Sequence, residues 1–209
     1  MTPIESFPLT YLEIITPRLK LRLADNDELD VLARAAVGKI LKPEQEDWMA
    51  HWSQVKSPEL EKRLLQHHWR RMADFTVNDW HLNLVVFFEE KPIGSGSLAA
   101  ENFLQRRSIS SGSWIIDDYR GRGLGKEIRA GLVQLGFEKL GAEEMRSGAH
   151  IDNLASQRVS LSLGYKRDGS NRLHGPGDGV RFLLRSSDWE SRSDIEICGF
   201  DRCQQMFGI

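Results

Sequence analysis

The chain has 209 residues, 28 Lys and Arg against 30 Asp and Glu, and a formal net charge of −2. That length, with a hydrophobic share of 40%, describes an ordinary globular chain able to bury a core without covalent staples. The charge balance excludes a protein that holds nucleic acid by bulk attraction, which needs a basic excess, but it leaves room for a small basic site. Two cysteines, Cys198 and Cys203, are too few for a disulfide framework, and with no His near them in sequence they do not form a zinc site. The N-terminus lacks a basic start followed by an apolar block. The longest apolar run, Leu84 to Phe88, is far short of the roughly 20 residues of a membrane span. The expectation is a cytoplasmic protein with no membrane or nucleic-acid partner and no metal.

In chain order, Arg18 to Leu23 alternates polar and apolar residues and predicts a strand. Asp25-Asn26-Asp27-Glu28 is a helix start, after which Leu29, Leu32 and Ala36 fall at helical spacing. Ser57-Pro58-Glu59 predicts a second helix with Ser57 as cap and Pro58 in its first turn; Leu60, Leu64, His68 and Met72 share one of its faces. His81 to Phe88 is rich in strand formers, Glu89 to Pro92 reads as a hairpin turn, and Ile93 to Asn102 and Ser108 to Asp117 read as two further strands. Gly123 to Leu140 is an amphipathic helix with a Leu124, Ile128, Leu132 and Leu135 stripe, closed by Gly141. Strand 143–151, helix 153–163 ended by Gly164, strand 165–174, a glycine-rich turn and strand 180–184 complete a mixed α/β or α+β pattern. After Trp189 the chain reads as irregular but apolar enough to pack on its own domain or on a second subunit.

The segment Arg120-Gly121-Arg122-Gly123-Leu124-Gly125-Lys126 follows a strand and opens a helix. Its glycines leave backbone N–H groups unshielded, and a helix start adds unpartnered donors and partial positive charge, so it is a cradle for a phosphate or pyrophosphate. Arg120, Arg122 and Lys126 add charge. Neither common phosphate motif fits. A Walker loop needs Ser or Thr where Glu127 stands, and a dinucleotide fingerprint needs Gly where Lys126 stands.

The spacing Arg-x-x-Gly-x-Gly, here Arg120 to Gly125, resembles the acetyl-CoA pyrophosphate loop of the GNAT superfamily of N-acetyltransferases. Asn153-Leu154-Ala155-Ser156 and Leu163-Gly164-Tyr165 downstream look like the Asn-x-x-Ser and Gly-aromatic segments of that family. Thr16-Pro17-Arg18-Leu19-Lys20-Leu21-Arg22 is similar to the opening strand of its RimJ/RimL branch, which modifies ribosomal-protein N-termini, and Trp114-Ile115 is similar to the residues that this branch places before the loop.

The resemblance implies an α+β fold, a single GNAT-type domain with a central mixed, mostly antiparallel, splayed sheet flanked by helices. It spans residues 1–189, with 190–209 as a tail packing on the domain or on a partner subunit. It implies acetyl-CoA or another acyl-CoA as co-substrate and no metal. The acceptor would be a primary amine of a peptide or protein N-terminus, a lysine or a small molecule. The cofactor would lie on Trp114, Ile115 and Ile116 of the splayed strand, on Arg120, Gly121, Arg122, Gly123, Leu124, Gly125 and Lys126 of the loop, and on Asn153. Glu101 would take the amine proton and Ser156 would protonate the leaving thiolate. The resemblance makes Tyr165 a packing residue and sets Trp48, Trp52 and Trp69 around the acceptor. A succinyl donor is the longer alternative; it needs a basic residue in the cleft, which the sequence does not place. A homodimer is compatible with the apolar tail. The rival from another class is a CoA-binding or interaction module that has kept the loop and lost the chemistry.

Overall fold

A computed structural model describes residues 2–40, 55–171 and 179–209. Trp48, Trp52 and the glycine-rich turn at 175–178 therefore lie outside the described residues. Among the described residues, nine strands form one open sheet in the order β7-β8-β6-β5-β4-β3-β2-β1-β9. The strands are β1 (Glu13–Ile15), β2 (Leu19–Arg22), β3 (Trp80–Phe88), β4 (Lys91–Ala100), β5 (Ser108–Ile115), β6 (Glu144–His150), β7 (Lys166–Asn171), β8 (Gly179–Arg185) and β9 (Glu196–Cys198). Neighbours run antiparallel except β5 and β6, which are parallel. The architecture is the mixed, mostly antiparallel α+β sheet expected.

The helices are α1 (Asn26–Ala36), α2 (Glu59–Ala73), α3 (Phe103–Arg106), α4 (Leu124–Gln134), α5 (Leu154–Ser162) and α6 (Phe200–Cys203). Helix α1 starts on a capping box: Asp25 accepts from the Glu28 N–H, and the Glu28 carboxylate accepts from the Asp25 N–H. Arg22 also clasps Glu28 and holds its carboxyl below the usual range. Helix α2 differs from its predicted start. Pro58 is the cap, and the Ser57 hydroxyl meets Glu61 instead of a backbone amide.

Helices α1 and α2 pack on β4 and β3, while α4 packs on β5, β4 and β2. The pleat settles which side chain faces which helix. A Cβ on Gly96 would point at Ile128 and Leu132 of α4, so Ser95 and Ser97 face the α2 side. Covered on both faces, β3 is buried continuously from Leu82 to Phe87. The β3–β4 turn is tighter than the predicted four residues. Glu89 and Glu90 alone make it, both at positive φ, the conformation that lets a two-residue loop match the twist of its strands.

Helix α4 ends at Gln134 and continues as a wider π-type turn over Leu135–Lys139. From Ile128 to Gln134 every residue is buried, so this helix is enclosed rather than amphipathic.

The segment after Trp189 is not irregular. Strand β9 pairs with β1, and Gln134 donates to the Arg192 and Ile195 carbonyls and accepts from the Arg192 N–H. Phe207 is fully buried, edge-on to Trp80 and Phe75. A three-residue strand leaves no alternation to read, which is why the sequence hides it. Phe207→Ala is expected to cost about 3–5 kcal/mol of unfolding free energy, read from urea denaturation. A cost below about 1 kcal/mol would mean that the tail is dispensable to the core.

Candidate functional site

Ladder pairing between β5 and β6 covers Ser108↔Glu144 to Ser111↔Ser147 and then stops, while β5 stays paired with β4 as far as Ile115. The two strands part there. The Ile116 N–H donates to the Ile93 carbonyl. By antiparallel alternation the backbone groups of Trp114 also turn to β4, and those of Ser113 and Ile115 turn into the gap. The Ile115 carbonyl accepts from Arg120 Nε at 3.1 Å. Among the described residues, the Ser113 amide and carbonyl and the Ile115 amide have no backbone partner along the edge. Of the three strand residues expected at the cofactor, the structure turns the backbone polar groups of Ile115 into the gap and those of Trp114 and Ile116 away from it. Ser113 was missed because period-two reading does not say which edge a backbone group faces.

The gap opens into a cavity of about 350 Å³ that passes through the sheet. Leu64, His67 and His68 of α2 with Ser95, Ser97 and Trp114 line one side; Arg129 and Ser156 line the other; Gly112, Ser113, Gly148, Ala149 and His150 form the walls between them. Asn153 caps α5 by accepting from the Ser156 N–H at 3.1 Å, which sets the Ser156 side chain on the cavity wall. Tyr165 is buried, with its hydroxyl 3.4 Å from that of Ser111.

Glu101 stands apart from this group. Its side chain is 87% exposed, lies 3.8 Å from Arg106, and borders a different cavity of about 430 Å³ with Ser108, Ser110, Glu144 and Arg146. It follows Ala100, which pairs with Trp80 at the far end of β4 from the split. Trp69 also faces elsewhere, donating to Asn26 at 3.0 Å beside the start of α1.

Beyond the open end of β5 comes the glycine segment. Gly121 and Gly123 both have positive φ, the latter as N-cap of α4. The Lys126 and Glu127 amides bond back to the Gly123 carbonyl. The Gly123, Leu124 and Gly125 amides have no acceptor among the described residues. Arg120 is used structurally, donating to the Ile115 and Ile40 carbonyls and to Asp117. Arg122 lies over the Tyr119 ring and donates to the Asp118 carbonyl. Glu127 holds the helix start in place: its carboxylate accepts from the Thr16 hydroxyl at 2.6 Å and pairs with Arg18 at 2.6 Å. The Thr-x-Arg of the opening strand is thus a brace for the loop.

Burial disfavours the charged form of the imidazoles on the α2 side. It lowers His68 to about 3 and His81 to about 4, and lowers His67 as well, with Arg71 and Arg70 adding repulsion there. Arg129 is enclosed, 3% exposed, bonded to Ser147 and Tyr165. Sequence reading missed it, although it is the sole charge between Ile128 and Phe137 and sits in a stretch that a buried helix would enclose whole.

A profile of the family described as "Acetyltransferase (GNAT) domain" matches residues 18–166. Among solved structures, one assigned as a ribosomal-protein-serine acetyltransferase from Vibrio cholerae is 25% identical, with 83% of this chain and 97% of that chain covered and a TM-score of 0.60. RimJ of Mycobacterium smegmatis, in complex with a CoA disulfide, is 12% identical, with 95% of both chains covered and a TM-score of 0.72. A GNAT-family acetyltransferase from Bacillus anthracis is 14% identical, with 84% and 99% covered and a TM-score of 0.66.

The folded state refuses a proton at His68 that the unfolded chain accepts near its ordinary value of about 6.5. Stability is therefore unaffected above that value and is lost as the pH falls from about 6.5 towards 3. Urea midpoints should show the native chain losing roughly 2 kcal/mol more between about pH 7 and pH 5 than His68→Leu. Equal losses would place His68 in contact with solvent.

Proposed function

The chain belongs to the GNAT acetyltransferase family, and we propose that it moves an acyl group from acyl-CoA to a primary amine at the split between β5 and β6. The observation that carries the proposal is the continuity of the open β5 edge with the unpartnered amides of Gly123, Leu124 and Gly125. The loop, from Arg120 to Lys126, takes the pyrophosphate on its backbone amides. The amide-rich arm of the cofactor pairs with Ser113 and Ile115 as an added strand, flanked by Trp114, Ile116 and Asn153. One of those N–H groups faces the thioester oxygen and stabilises the charge that develops there.

The acceptor enters from the α2 side. The buried imidazole of His68, held neutral by desolvation, disfavours an ammonium ion beside it, so an α-amine, with an ordinary pKa of about 8, is a better acceptor than lysine. A protein or peptide N-terminus is the acceptor this favours. The amine nitrogen attacks the thioester carbon, the C–N bond forms and the C–S bond breaks. His67 accepts the amine proton, Ser156 gives its hydroxyl proton to the departing thiolate, and solvent water returns a proton to the Ser156 oxygen as His67 releases its own to solvent. Glu101, which borders the other cavity, is left out of the proton path. The transferase unit is residues 1–189, and 190–209 brace α4. Acetyl is the donor group of the family; succinyl is the longer alternative.

Thiol release from acetyl-CoA and succinyl-CoA, over a panel of peptides and small amines, tests this. Turnover is expected with N-terminal α-amines. Ser156→Ala and His67→Gln should each lower kcat about 10-fold or more with CoA affinity nearly unchanged, and Glu101→Gln should leave kcat as it is. CoA binding without turnover on any acceptor would instead make the chain a CoA-binding module. Loss of turnover in Glu101→Gln alone would return that carboxylate to the mechanism.

A further inference from the structure

Arg129 is a cation inside the protein with no counter-anion among the described residues. Its residue is 3% exposed, and the groups bonded to it, the Ser147 hydroxyl and the Tyr165 hydroxyl, are both neutral. Its Nε is buried with no partner among the described residues. No carboxylate pairs with it among the described residues. Tyr165 is not poised to serve as a phenolate, because burial pushes its hydroxyl above the ordinary value. Removing a guanidinium from water without a compensating charge costs several kcal/mol, so a fold that keeps one this way has a use for it. The half-buried Glu127 and the buried Gln134 of α4 contrast with it. Glu127 is matched by Arg18 and Thr16, and Gln134 is saturated by the backbone of the tail.

Its position indicates what would complete it. Ser147 is the last residue of β6 paired with β5, so Arg129 stands at the closed end of the split, and it lines the cavity there. The phosphate loop lies past the open end. A thioester cofactor gripped by its phosphates at the loop and laid along Ser113 and Ile115 runs toward Ser111 and Ser147, about four strand residues or roughly 13 Å away. The part of it that arrives at Arg129 is the acyl group. Arg129 also rises from the helix that carries the loop, on the face of the sheet opposite the α2 wall.

We infer that Arg129 anchors the terminal carboxylate of a dicarboxylic acyl group, so that this protein takes donors of the malonyl-, succinyl- or glutaryl-CoA class in preference to acetyl-CoA. The inference rests on the proposed binding of acyl-CoA at the split. The reaction is unchanged in its balance. The amine nitrogen bonds to the thioester carbon, the C–S bond breaks, the amine proton leaves on the base, and the thiolate is protonated. The distal carboxylate enters and leaves ionised, held by charge-assisted hydrogen bonds from the guanidinium. The product is an amide bearing a carboxylate, which turns a basic amine into an acidic group.

Equilibrium binding of free CoA, acetyl-CoA, malonyl-CoA, succinyl-CoA and glutaryl-CoA to the full chain, by titration calorimetry, needs no acceptor and therefore tests the anchor apart from catalysis. One of the three dicarboxylic donors is expected to bind about tenfold or more tighter than acetyl-CoA, a difference of about 1.4 kcal/mol. Arg129→Met and Arg129→Gln should abolish that preference and leave the affinity for free CoA within about twofold of the native chain. If both variants fail to fold, the native chain decides alone: equal or better binding of acetyl-CoA overturns the inference. So does an equal loss of free-CoA affinity in the variants, which would place Arg129 on the cofactor arm. If every CoA species fails to bind, both this inference and the proposed function fail; if the preference holds without turnover on any acceptor, only the transferase reading fails.

Discussion

The parting of β5 from β6 after Ser111 and Ser147 is the feature on which the rest of the site depends. A parallel pair in the middle of a sheet ordinarily keeps its hydrogen bonds, since unpaired buried amides are costly. Here β5 keeps its bonds to β4 and β6 keeps its bonds to β8, so each strand stays rigid while the edge between them opens. The gap connects the α2 face of the sheet with the α4 face and ends next to the glycine segment. A ligand with hydrogen-bonding amides along its length and phosphates at one end satisfies both.

Helix α4 organises what lies around that gap. It is enclosed by the sheet on one side and held by the tail at Gln134, which explains why a segment outside the family match is packed so tightly. At its first turn Glu127 gathers Thr16 and Arg18 and fixes the loop relative to the sheet. Between these two satisfied positions stands Arg129. The same helix therefore carries two polar side chains used for construction and one whose charge no described residue balances.

Much of this was legible in the sequence, for reasons that can be named. The Asp25 to Glu28 cap, the alternation over 18–23 and the glycine loop are local signals, and local signals survive tertiary context. The loop chemistry was readable because it is made of backbone amides, whose exposure the glycines announce. What was not legible depends on which strand lies next to which. Ser113 matters because of a missing neighbour, and Glu101 falls in a separate cavity because it ends β4 at the far end from the split. Arg129 matters because the helix around it is buried on all sides and not on one stripe. Strand β9 is three residues long and gains its identity from β1 alone.

The central claim is that the open edge of β5 and the loop amides receive one ligand together. Amide hydrogen exchange on the full chain, with and without saturating acetyl-CoA, tests it most directly. The account predicts that exchange at Ser113, Ile115, Leu124 and Gly125 slows on addition of the cofactor, while Trp114, already turned to β4, is protected in both states. Protection of the loop without any change at Ser113 and Ile115 would contradict it, because the phosphates would then be held by a cofactor that does not enter the split.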